Sequence, residues 1–135
     1  MKHFTLDRHM CATIGGAFYP TGYSMVMFPN AEDANRVGHQ LIQNGDFNGD
    51  EVYLIPPETM LAEITPTVGG ADKPLPSCGT DGATVRAYTK LARDGHTGLL
   101  VKTKNEQAAE RLMLEVRKVD FSIAERYRTL VIEDL

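Results

Sequence analysis

Apolar positions recur along this chain with two different periods. Between residues 31 and 44, Ala31, Ala34, Val37, Gly38, Leu41 and Ile42 fall three and four apart, the spacing that lines one face of an α-helix. Asn30 stands ahead of them as an N-cap, with Glu32 and Asp33 in the first turn, where the helix dipole favours acids. Asn44-Gly45 supplies the left-handed end. A second stripe, Ala109, Leu112, Met113, Val116 and Val119, predicts a helix over 105–119, and Thr103-Lys-Asn-Glu106 ahead of it has the capping-box pattern. A weaker stripe over 84–93, with Val85, Tyr88 and Leu91-Ala92 turned inward, ends at Asp94-Gly95. Pro56-Pro57 opens a short helix over 58–64.

Short apolar runs between these stripes predict strands at 23–28, 51–55, 98–102 and 128–133. A sheet with one face in water alternates apolar with polar. Here Met25 and Met27 oppose Val26 and Phe28, and Val52 and Leu54 oppose Tyr53 and Ile55, so both faces are covered. Strand, helix and strand occur twice. Right-handed crossovers then set both long helices on one face. The expectation is an α/β (α+β) domain, a ferredoxin-like split βαβ sandwich with a four-stranded sheet, two long helices and an extra helix between the βαβ units. Residues 1–21, with Gly15-Gly16 and the turn signal Pro20-Thr-Gly22, read as an irregular arm. Residues 22–135 then form the single domain, interrupted by a Pro/Gly-rich loop at 65–82. The second sheet face needs cover from the 84–93 helix, the arm or another subunit. A homodimer through this open sheet face is the expectation.

Composition narrows the function classes. At 135 residues, 42% apolar and 24% charged, the chain is an ordinary globular domain with a core of its own. A net charge of −4 argues against nucleic acid as a partner, which demands a basic face. Acids dominate residues 30–65 and bases residues 66–104, which reads first as solvated helix faces and second as a charged docking surface. Two cysteines without CxxC spacing fit a reducing compartment. No run reaches membrane-spanning length, and Gly15-Gly16 breaks the mildly apolar Met10–Phe18 stretch, which makes a poor signal peptide. The expected setting is cytoplasmic, with no membrane partner.

No motif declares a chemistry. Cys78, in Pro76-Ser-Cys-Gly-Thr-Asp-Gly82, precedes a helix whose N-terminus would stabilise a thiolate, with His96 or His39 as base. The simpler reading is a loop cysteine beside an N-cap. The same glycines lack the ending of a P-loop and the spacing of a dinucleotide fold. His3, His9 and Cys11 do not have the spacing of a metal-ligand set, so neither metal nor cofactor is expected. Tyr23, Phe28 and Tyr53 lack the basic, glycine-flanked signature of RNA-binding sheets. Among Arg111, Arg117, Lys118, Arg126 and Arg128, interleaved with glutamates, Arg126 and Arg128 stand out because they flank Tyr127 near the last strand. Candidate ligand-binding residues are therefore Cys78, Tyr88, His96, Arg126 and Arg128, and no residue is assigned as catalytic.

The segment Ala87-Tyr-Thr-Lys-Leu-Ala-Arg-Asp-Gly95, running into Gly98-Leu-Leu-Val101 and the Glu106-Gln-Ala-Ala-Glu110 helix, carries a resemblance. Together with the Gly22–Asn35 strand-to-helix turn, it resembles the small bacterial general-stress, or heat-induced stress, protein domain. The resemblance implies a ferredoxin-like sheet and brings no catalytic residues with it. The expected function is a non-catalytic, stress-associated module that self-associates and binds a protein partner or small ligand. The alternative is a small dimeric enzyme using Cys78 or the His39/His96 imidazoles in a cleft at the subunit boundary.

Overall fold

The computed structural model describes residues 1–12, 16–68 and 79–135, with the side chains of 79–81 left aside. Its strands are β1 (Lys2–His3), β2 (Tyr23–Phe28), β3 (Val52–Ile55), β4 (Thr97–Lys102), β5 (Ile123–Tyr127) and β6 (Ile132–Asp134). The helices are α1 (Ala31–Gln43), α2 (Pro57–Thr59), α3 (Gly79–Arg93) and α4 (Glu106–Val116). The result is a mixed α+β fold around one open sheet, in the order β1-β3-β4-β2-β5-β6. Neighbours from β3 to β6 run antiparallel, and β1 adds to β3 in parallel.

Local chemistry accounts for the helix ends. The Asn30 side chain accepts from the Glu32 N–H at 2.8 Å and caps α1, and Asn105 accepts from Ala108 at 2.9 Å to cap α4. At the end of α3, Gly95 has φ +88°. Its N–H reaches Ala92 O at 2.9 Å and that of His96 reaches Leu91 O at 3.0 Å, the paired bonds of a Schellman stop. After Pro56 the chain winds through α2, a π turn at Met60–Ile64 and a 3₁₀ turn at Thr65–Thr67.

The sheet separates two cores. On one face α1 and α4 pack Val37, Leu41, Leu112 and Val116 against Val26, Phe28, Leu99 and Val101. On the other, Met25, Met27 and Leu100 meet Tyr88 and Val85 of α3, Ile64, and Phe4, Met10 and Phe18 from the first 21 residues. The apolar second face is thus covered from within the chain. The dimer expectation rested on that face being open, and its described residues pack against α3 and the N-terminal residues instead.

Three expectations change. The sheet has six strands, not four, because β1 and β6 extend its two ends. The described residues among the first 21 pack into the fold: β1 pairs with β3, the Leu6 N–H donates to Glu63 Oε1 at 2.8 Å, and the Phe18 N–H donates to Thr67 Oγ1 at 2.9 Å. The strand expected at 128–133 is a hairpin. β5 pairs with β2, the chain turns at Thr129-Leu130, and β6 returns, closed by Arg128 N–H to Val131 O at 2.8 Å. Glu125 and Arg126 interrupt the apolar pattern of the true strand, while the apolar Leu130 and Val131 sit exposed at the tip.

Candidate functional site

Strand pairing brings three chain segments together at one end of the sheet. β2 begins there after Gly22, β4 ends there before Thr103, and β5 ends there before Arg128. The Thr103 N–H donates to Gly22 O and the Gly22 N–H to Tyr127 O, both at 2.9 Å, which locks the three ends together. Beside this junction lies a pocket of about 490 Å³, lined by Thr21, Gly22, Thr103, Lys104 and the hairpin from Arg126 to Val131. Its titratable lining groups are Lys104, Arg126, Tyr127 and Arg128.

Arg126 is the unusual member. It lies opposite Ser24 of β2 and Glu133 of β6, and only 11% of its side chain is exposed. Its Nε is buried and has no hydrogen-bond partner among the described residues. Its Nη1 stands 3.6 Å from Glu133 Oε1, and Arg128 Nη1 stands 3.6 Å from Glu133 Oε2. Charge-assisted bonds close to about 2.7–2.9 Å, so Glu133 offsets one of the two guanidinium charges without using the donors of either well. A buried cationic donor without a partner costs free energy. Next to it, Ser24 Oγ and Thr103 Oγ1 satisfy each other at 2.8 Å.

A second hollow, of about 440 Å³, shares Thr21, Thr129 and Leu130 with the first and is lined further by His9, Cys11 and Tyr19. Burial, with the Asp7 charge adding to it, raises the Cys11 thiol above its ordinary value, which disfavours the reactive thiolate. The Tyr19 hydroxyl donates to Arg128 O at 2.6 Å, and its ring meets Tyr127 edge-on at 4.9 Å, so the arm braces the hairpin.

The other expected site residues do not join this pocket. Tyr88 is fully buried in the core, where its hydroxyl shares hydrogen bonds with Tyr127 (2.9 Å) and Glu125 (3.1 Å). His96 lies at the opposite end of β4, roughly 20 Å away at strand rise, and its Nδ1 pairs with Ser122 Oγ at 3.0 Å. His39 is exposed on α1, its Nδ1 bonded to Asn35 O. Cys78 lies outside the described residues. Arg126 and Arg128 line one pocket, and Thr21, Thr103, Lys104 and Thr129 join them from a turn, a helix lead-in and a hairpin tip whose local patterns speak of structure and not of binding. Among the described residues, no three His, Cys, Asp or Glu side chains cluster as metal ligands. Nor, among the described residues, is any helix long and apolar enough to cross a membrane. Comparison with family models, curated proteins and solved structures finds no match.

Proposed function

We propose that this protein is a non-catalytic binding module whose pocket at the end of the sheet takes a small anionic ligand. The observation that carries the reading is the convergence of Lys104, Arg126 and Arg128 on one pocket, with the Glu133 carboxylate shared between the two arginines at 3.6 Å from each. The frame we assign is ferredoxin-like. Its support is the central order β3-β4-β2-β5, all antiparallel, with α1 and α4 sharing one face. A stress-associated role belongs to the same proposal and rests on the resemblance of Gly22–Asn35, Ala87–Gly95, Gly98–Val101 and Glu106–Glu110, and a cytoplasmic setting rests on the cysteine usage. Self-association stays part of the proposal, with the described part of the second sheet face covered by α3 and the N-terminal residues. The enzyme alternative finds less support, because His39 and His96 stand apart from each other and from the pocket.

Thermal denaturation with a panel of millimolar organic anions tests the reading. An anion that binds the folded state at about 100 times its Kd adds about 2.7 kcal/mol of stability. At least one anion is expected to raise the midpoint of the native protein and to leave Arg126→Met unmoved. The variant itself should fold, since it removes an unsatisfied buried donor. If no anion acts, or if native protein and variant shift alike, the reading is wrong.

A further inference from the structure

We infer that the anion taken by this pocket is the phosphoryl group of a phosphomonoester, an inference that rests on the anion-binding reading above. The internal carboxylate marks the geometry. Glu133 presents one oxygen to Arg126 and the other to Arg128, each at 3.6 Å. The two guanidiniums therefore stand close enough together to share one carboxylate. An anion that exchanges with Glu133 between them needs one oxygen for each and gains from a third for Lys104 or a threonine of the lining.

Charge points the same way. Lys104, Arg126 and Arg128 against Glu133 leave a formal surplus of two positive charges. A carboxylate or sulfate ester brings one negative charge and leaves half of that surplus uncompensated. A phosphomonoester carries about −1.5 to −2 at neutral pH and three strong acceptor oxygens, which matches both the surplus and the donor count. The hydroxyls of Thr21 and Thr129 line the same pocket and donate to such oxygens as readily as nitrogen does.

Size separates an ester from free phosphate. A volume of about 490 Å³ lies within the range of pockets that hold small organic ligands, well beyond one tetrahedral anion. Leu130 and Val131 of its lining are 91% and 55% exposed, apolar surface that no described residue covers. An organic body attached to the phosphoryl group would lie against them.

Isothermal titration of the full chain, above the second phosphate pKa of about 6, decides the matter. The probes are phenyl phosphate, phenyl sulfate, benzoate and inorganic phosphate. Phenyl phosphate is expected to bind at least about tenfold more tightly than each of the other three. Arg128→Gln, at an exposed position that the fold does not depend on, should reduce its advantage over phenyl sulfate to a few-fold. Phenyl sulfate or benzoate binding as tightly as phenyl phosphate, all of them lost in Arg126→Met, would overturn the phosphoryl assignment and leave the anion site standing. Inorganic phosphate binding as tightly as phenyl phosphate would overturn the ester. Binding of none of the four would overturn this inference, and the site with it if the wider anion panel is also silent.

Discussion

Glu125 occupies a place that disfavours its own charge. It lies on the face of β5 opposite to Arg126, directly across from Asp134 of β6. Burial is the main cause that raises its carboxyl above 4.5; the hydrogen bond from Tyr88 works against this, and Asp134 adds to it by charge and by hydrogen bonding. An acid whose pKa is raised on folding holds its proton more tightly in the native state. Its contribution to stability is therefore complete below the ordinary carboxyl value and is lost as pH climbs through the raised one. On going from neutral pH toward pH 4.5, the native protein should gain stability that Glu125→Gln does not gain, measured as the difference between their urea midpoints. A variant that tracks the native protein across that window would show that Glu125 does not titrate in this way. Little of this was legible in the sequence, because the pairing of Glu125 with Asp134 depends on a hairpin the pattern did not predict. Arg126 and Arg128 were legible as an interesting pair. Thr21, Thr103 and Lys104 were not, since only strand pairing carries them to the same place.

At the scale of elements, periodicity told the truth where a stripe was long. The ranges of β2, α1 and α4 follow the apolar pattern and its caps within a few residues. It misled at the C-terminal hairpin, where polar β5 residues face a neighbouring strand while apolar ones cap a turn. Gly95 offers a clean test of an element end. Its φ of +88° lies in the left-handed region, and a Cβ there meets nothing within 4 Å, so substitution adds backbone strain without a clash. Gly95→Ala should cost roughly 1–2 kcal/mol, seen in denaturant titration, with the signature of the folded state unchanged. A cost near zero would mean that the turn re-forms without its left-handed residue.

For the whole molecule, the decisive finding is that the first 21 residues complete the second core. Phe4 and Phe18 are at most 2% exposed, and they pack edge-on against each other at 6.1 Å. Losing a buried aromatic side chain costs about 3–5 kcal/mol, and total stabilities run to about 5–15 kcal/mol. Deletion of residues 1–21 should therefore abolish the cooperative melting transition followed by circular dichroism and leave a species that binds a hydrophobic dye. A truncated chain that still melts cooperatively would make the arm an accessory. The same arm governs how the sheet meets its neighbours in solution. Its outermost strands, β1 and β6, are two and three residues long, too short to template a further chain. Stripping β1 away bares the flank of Val52–Ile55, a hydrophobic β-branched ribbon of the sort that seeds fibrils. The arm therefore serves as a gatekeeper against polymerisation as well as a piece of the core, and chains nicked within it should be the first to aggregate.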